Sequence, residues 1–236
     1  MDKNINKEKN NSDLIIGIDD AGRGPVIGSM FLAGVLVTRE QEIFLKGQNV
    51  KDSKLLLHPA RIRLSRLIEE NSIAHKVVEA SPEEIDSAVK TSSLNILEAR
   101  KMAEVIDFLK EEAGSENDKI NVIVDCPSVN IPAWTETLAS FVKNIKNTCI
   151  KCEHKADVNH ISVSAASILA KVAREENVEK IKKEIGIDFG SGYPADPKTK
   201  AFLDKHWEKF ENSGLIRKSW ETWNTLMKKK GQKQLF

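Results

Sequence analysis

The chain has 236 residues, of which 40% are hydrophobic and 30% charged, and its net charge is +1. That balance describes a folded protein of one sizeable domain, or a domain plus a small appendage, and excludes a disordered or fibrous chain. No apolar run approaches the roughly 20 residues needed to cross a bilayer, so a membrane partner is not expected; the longest candidate, Val26 to Val37, is broken by Gly28, Ser29 and Gly34. Three cysteines are too few and odd in number for a disulfide framework, which favours a reducing, cytoplasmic setting.

Residues 1–12 are polar and lack the apolar core of a signal peptide, so they read as a frayed tail. Leu14 to Ile18 and Met30 to Val37 have strand character, and Ile62, Leu64, Leu67 and Ile68 fall at helical spacing behind Pro59. Ala74 to Ala80 reads as a strand, followed by Ser81-Pro82-Glu83-Glu84, an N-cap with carboxylates at the positive end of a helix dipole. Leu94, Leu97, Met102, Val105, Ile106 and Leu109 predict a long amphipathic helix. Ile120 to Val124 is a continuous apolar run, the signature of a strand buried on both faces. Ser164 to Val178 is an Ala-rich helix, and further helices are predicted around Ala201–Phe210 and Ser219–Lys230. The expected architecture is α/β: a mixed central sheet flanked by helices over 13–190, then a helical subdomain with a basic tail over 191–236. The composition turns to Gly, Ser and Pro near Gly186–Tyr193, where a boundary would fall.

Carboxylates end three of these segments. Gly17-Ile18-Asp19-Asp20 closes the first strand, Asp125 closes the run from Ile120, and Asp157 precedes the Ala-rich helix. Buried carboxylates are costly unless neutralised, and a divalent cation such as Mg²⁺ or Mn²⁺ is their natural partner. Read singly, Asp125 and Asp157 also suit a turn or a helix cap. The glycines after the first pair, Gly22, Gly24 and Gly28, are spaced one residue too long for a dinucleotide fingerprint, and Pro25 interrupts them. From Lys198 onward ten Lys and Arg face four Asp and Glu, a basic excess that suits either a polyanion or a solvated helix surface.

The block GIDDAGRGP resembles the opening motif of the type 2 ribonucleases H, the ribonuclease HII family. The similarity continues, in the family's order, through Lys51-Asp52-Ser53-Lys54-Leu55, Asp125, HKADVNHISVSAASILAKVARE and GSGYPADPKT, the last being like the archaeal and eukaryotic branch. It spans roughly residues 14–210, and the single short chain is similar to the archaeal form. The resemblance implies a ribonuclease H-like fold, a monomer, and hydrolysis of the RNA strand of RNA–DNA hybrids. It extends that activity to cleavage 5′ to single ribonucleotides embedded in duplex DNA, by two-metal catalysis leaving 5′-phosphate and 3′-hydroxyl ends. It makes Asp19, Asp20, Asp125 and Asp157 the catalytic, metal-binding acids, with Mg²⁺ or Mn²⁺ as cofactor. Gly22, Arg23 and Gly24 fall where the family reads the ribose 2′-OH, Tyr193 where a tyrosine contacts the junction, and Ser53, Lys54 and Ser164 near contacts to the nucleic-acid backbone. Arg23 is also suited to holding a phosphate.

Asp20 departs from the family, which usually has Glu there. His160 stands where an aromatic is common, and Asp125 is followed by Cys126-Pro127. Two alternatives remain: another two-metal nuclease of similar fold, or a hybrid-binding protein without turnover. Cys149, Cys152 and His154 do not suit zinc, because strand residues three apart point to opposite faces. The last residues, Gln232-Lys233-Gln234-Leu235-Phe236, resemble the start of motifs that bind replication sliding clamps, although the usual aromatic pair is missing. A frayed or folded-back tail is the competing reading.

Overall fold

A computed structural model describes residues 14–50, 57–114 and 119–233. The 1–12 tail, Ser53, Lys54 and Gln234–Phe236 lie outside the described residues. Five strands form one sheet: β1 (Leu14–Ala21), β2 (Met30–Val37), β3 (Ala74–Ala80), β4 (Ile120–Asp125) and β5 (Thr148–Glu153). Their order is β3-β2-β1-β4-β5, antiparallel from β3 to β1 and parallel from β1 to β5. The mixed sheet is the one the pattern predicts.

One face of the sheet carries α3 (Pro82–Thr91), α4 (Leu94–Glu112) and α5 (Ile131–Phe141), whose apolar residues meet Leu14, Ile16 and Ile18 of β1. The other face carries α1 (Arg39–Gly47), α2 (His58–Asn71) and α7 (Ile161–Ile185), packed on Ile15, Ala33, Val35 and Val37. A short α6 (Ala156–Asn159) leads into α7, and α8 (Pro197–Phe210) and α9 (Glu221–Lys233) complete the described chain. These last helices share a third core, in which Phe189, Phe202, Phe210 and Trp223 meet Val178, Ile181 and, from far upstream, Val26 and Ile27.

Local chemistry sets the helix starts. Thr38 and Ser81 each close a reciprocal capping box, with Gln41 and Glu84 reaching back to the cap N–H; such caps contribute about 1 kcal/mol each. Helix α7 has no side-chain cap of its own. The buried Glu42 of α1 serves instead, its Oε1 accepting from the Ser162 N–H at 3.3 Å while Arg39 holds its other oxygen at 2.6 Å. A carboxylate there also meets the positive end of the helix dipole.

The expectation that Ile120–Val124 is buried on both faces is corrected. Ile120, Val122 and Val124 are buried, but Asn121 is exposed and Ile123 half-buried. Helix α7 lies over β1 and β2 and leaves the outer face of β4 partly open. The strand wholly buried is β2. Two glycines allow this close layering. A Cβ on Gly17 would stand 2.1 Å from the Ser162 backbone carbon, and one on Gly34 would stand 2.5 Å from Val105 Cγ1.

The Gly17 contact is backbone on backbone, so no side chain can rotate away. Gly17→Ala should therefore cost about 3 kcal/mol or more by overpacking, read by urea denaturation. A loss below about 1 kcal/mol would show that α7 is not seated on β1 as described.

Candidate active site

Register brings the acids together. Ile18 of β1 lies beside Val124 of β4 in parallel pairing, so the next row sets Asp19 beside Asp125 on the α7 face. Neighbouring strands run about 4.8 Å apart, well within strong charge–charge range. The Asp125 Oδ1 accepts from the Ala156 N–H at 2.9 Å, which fixes the first turn of α6 and with it Asp157. Both Asp19 and Asp157 are buried. Asp20, one residue on, projects to the opposite face, toward α4. Among the described residues no three His, Cys, Asp or Glu side chains close into a group able to hold a metal ion. The four acids meet at one end of the sheet but stand open.

Their charges are under strain. Burial pushes the Asp19 carboxyl well above its usual range, and the charges of Asp20 and Asp125 push it further; a hydrogen bond with Ser167 and the Asp20 N–H, at 2.7 Å, oppose this. Burial raises Asp20 to about 6, against the pull of Arg23 and with the push of Asp125. Lys171 of α7 donates to Ser167 Oγ at 2.8 Å and stands near enough to favour ionised Asp20. Ser167, Lys171 and Arg174 form one stripe along α7, turned toward this end of the sheet.

On the α4 side Arg23 is fully engaged. Its Nε lies 3.1 Å from Glu98 Oε1, its Nη2 donates to Asn95 Oδ1 at 2.7 Å and its Nη1 to the Pro127 carbonyl at 3.1 Å. Glu98 is completely buried, and burial with the nearby Asp20 charge raises it to about 8 despite Arg23. Arg23 therefore ties the glycine loop to α4 while still lining the cleft.

The loop itself is closely backed. Gly22 has φ of +91°, and a Cβ there would stand 2.9 Å from both the Ser29 carbonyl and Arg174 Cδ. A Cβ on Gly24 would come within 3.3 Å of Tyr193 Cε1, so Tyr193 lies against the loop. The Arg174 guanidinium covers the Tyr193 ring at 4.7 Å from its centroid and donates to the Ser191 carbonyl at 2.5 Å. Asp20, Gly22, Arg23, Gly24 and Tyr193 line one open cleft with Arg61, Lys171 and Arg174. Asp20 beside the cations of the wall and a bare-backbone loop suits a phosphodiester and its ribose.

The ribonuclease HII family model matches residues 16–223. The chain belongs to the ribonuclease HII family. A ribonuclease HII from Methanococcus maripaludis is 39% identical over 245 residues, covering 100% of this chain and 98% of the relative. Among solved structures, the ribonuclease H2 from Pyrococcus horikoshii superposes with a TM-score of 0.80 at 32% identity, covering 92% of this chain and 98% of that one. A ribonuclease HII from Archaeoglobus fulgidus, solved in complex with PCNA, gives a TM-score of 0.76 at 34% identity, covering 88% of this chain and 95% of that one. The fold is ribonuclease H-like, and the protein is an endoribonuclease.

Against that family the placement of the expected residues is uneven. Asp19, Asp20, Asp125, Gly22, Gly24 and Tyr193 gather at one site, with Asp157 tied to it through Asp125. Ser164 does not: it is 1% exposed in the first turn of α7 and stands outside the cleft lining. Cys149 is exposed while Cys126 and Cys152 are buried, as opposite strand faces require. Sequence reading missed Ser167, Lys171, Arg174, Glu98 and Arg61. The i, i+4, i+7 spacing of the first three was visible, as was a glutamate between Leu94 and Met102 on an apolar stripe. Nothing in the sequence marks Arg61.

Proposed function

We propose that the protein hydrolyses the RNA strand of RNA–DNA hybrids and also cuts 5′ to single ribonucleotides embedded in duplex DNA, leaving 5′-phosphate and 3′-hydroxyl ends. The observation carrying this reading is the juxtaposition of Asp20, at the acidic end of β1 and within reach of the Asp125 charge, with the Gly22–Gly24 loop and Tyr193 in one cleft. The acids suit a phosphodiester, while the loop and the ring suit a ribose and its neighbour. The 2′-OH is the group that separates RNA from DNA at one position.

An all-oxygen donor set, with Asp19 held above its usual range by burial and by the charges of Asp20 and Asp125, fits a hard divalent cation better than any other counter-charge. Asp19, Asp20, Asp125 and Asp157 would hold Mg²⁺ or Mn²⁺, which supplies an activated water and charge stabilisation on the leaving 3′ oxygen. Ser167, hydrogen-bonded to Asp19, and Lys171, whose charge lies near Asp20, oppose the rise that burial imposes on these two acids. Arg61 and Lys171 face the cleft, where they screen the phosphates on either side of the scissile bond. Gly22 and Gly24 admit the sugar edge because no side chain stands in front of their backbone. Tyr193, braced by Arg174, offers its free face for stacking. Asp20, one methylene shorter than glutamate, reaches less far toward a shared cation.

Asp125→Asn should lower turnover at least 100-fold at saturating Mg²⁺ while the fold survives, since a ligand charge is lost without a change of shape. Cleavage of matched all-DNA, hybrid and single-ribonucleotide duplexes by the unaltered protein, followed by the variant, checks both parts. Near-normal turnover of a folded Asp125→Asn protein would remove Asp125 from the reacting centre. Cleavage of the all-DNA duplex would overturn the substrate reading.

The C-terminal tail supports a second, separate element of function, docking on a sliding clamp. The Archaeoglobus fulgidus relative solved with PCNA supports this reading, as does the Gln232-Lys233-Gln234-Leu235-Phe236 pattern behind Lys228, Lys229 and Lys230. Two apolar residues entering a groove beside a glutamine make a small hot spot, and tethering raises the local concentration on DNA. Deleting 232–236 should leave cleavage of free duplexes unchanged and abolish clamp binding by calorimetry. Absence of binding by the full chain at tens of micromolar would end the idea.

A further inference from the structure

Arg217 is fully buried, and among the described residues it makes no ion pair. A charge without a carboxylate is expensive inside a protein, so its compensation is informative. Its Nε donates to the Gly28 carbonyl at 2.8 Å, its Nη1 to the Arg23 carbonyl at 2.9 Å and its Nη2 to the Gly22 carbonyl at 2.7 Å. Trp220, whose ring lies 5.0 Å from the Arg217 guanidinium, donates from Nε1 to the Gly24 carbonyl at 3.1 Å. Three consecutive loop carbonyls, from Gly22 to Gly24, are thus held from behind by one short segment almost 200 residues downstream.

The segment is itself strapped to the chain just after the loop. Ile27 and Ile216 form an antiparallel bridge, the Gly28 N–H donates to the Leu215 carbonyl at 2.9 Å, and the Arg217 N–H donates to the Val26 carbonyl at 2.9 Å. Asp86 accepts from the N–H groups of Lys218 and Ser219, at 2.8 and 2.9 Å.

In a trans peptide the C=O of one residue and the N–H of the next point in opposite directions, and no cis peptide occurs among the described residues. Holding the Gly22 carbonyl therefore turns the Arg23 N–H away from Arg217. Holding the Arg23 carbonyl turns the Gly24 N–H the same way. The third peptide presents nothing, because Pro25 has no N–H. We propose that Arg217 and Trp220 are positioning residues for ribose recognition: Arg217 presets the Arg23 and Gly24 N–H groups as a pair of donors aimed into the cleft, and Trp220 keeps that pair in place by anchoring the Gly24 carbonyl and stacking on the Arg217 guanidinium. The inference rests on the substrate reading above and adds what builds the sensor. The loop needs both ends of the chain, and a lysine, with a compact head instead of a planar fork, cannot span the same carbonyls.

The test measures affinity of the full chain for a duplex with one ribonucleotide and for the same duplex all-deoxy. Ca²⁺ is the sole divalent cation, and the duplexes are checked intact afterwards. The ratio of the two affinities should fall about tenfold in Arg217→Lys and about threefold in Trp220→Phe, which keeps an aromatic ring but loses the donor. Affinity for the all-deoxy duplex should stay within about twofold of the unaltered protein, since that duplex lacks the group being read. Melting temperatures identify the variants that fold, and if Arg217→Lys does not, Trp220→Phe decides alone. A folded variant with lowered melting temperature and an unchanged ratio means Arg217 and Trp220 only hold the subdomain, and overturns the proposal. Equal affinity of the unaltered protein for both duplexes overturns the substrate reading, an outcome seen before either variant is made.

Discussion

Asp19 lies beneath α7, 5% exposed, beside one strand neighbour that carries Asp125 and one chain neighbour that is Asp20. Carboxylates this close repel through a medium that screens them far less than water does. The surrounding structure answers that repulsion with fixed partners. Gly17 lets α7 settle on β1, which delivers Ser167 to Asp19 and Lys171 to the neighbourhood of Asp20. Arg23 reaches across Asp20 to the buried Glu98. Even so, Asp19, Asp20 and Glu98 all stay above their ordinary ranges. The site is held together by the fold against its own charge, which is the condition a divalent cation relieves.

The C-terminal helices belong to this arrangement as much as the sheet does. Their core takes in Val26 and Ile27, and Arg217 and Trp220 reach the carbonyls of the glycine loop. Tyr193 sits against Gly24 from the turn before α8, with the Gly192 carbonyl accepting from the Val26 N–H at 2.8 Å. The glycine loop is thus clamped between the sheet and the appended helices. The acidic strand ends and the groups that back the loop come from different parts of the chain.

What could be read from sequence follows from how local each signal is. The strand ends at Asp19 and Asp125 were legible because apolar runs stop at carboxylates, α4 because its apolar spacing is long and regular, and α7 because it is rich in alanine. Three helices were not foreseen: α1, whose Arg39–Gly47 stretch is mostly polar, α5, which is short and buries only Trp134 and Leu138, and the four-residue α6. The one-sided burial of β4 depends on where α7 crosses, a tertiary fact. Glycine-loop recognition was visible as a motif, but its backing by Arg217 was not, since a single arginine in a basic tail looks like solvated surface. The burial of Ser164 was hidden for the complementary reason: position within a motif does not say which side of a helix is buried.

The central claim, that the acidic end is assembled against its own repulsion, is tested most directly by unfolding free energy as a function of pH with metal chelated. A carboxyl whose folded value is raised binds its proton more tightly when folded, so stability falls as pH rises from its unfolded value through its folded one. Asp20, from 3.8 to about 6, and Glu98, from 4.5 to about 8, place that fall between about pH 5 and 8, with Asp19 adding in the same direction. Carboxyls held low, such as Glu153 at about 2, lose their contribution only at more acid pH and leave this window clear. Chelated protein should lose stability steadily from pH 5 to 8, and millimolar Mn²⁺ should flatten or reverse the slope. Stability that is level or rising over that range without metal would contradict the account.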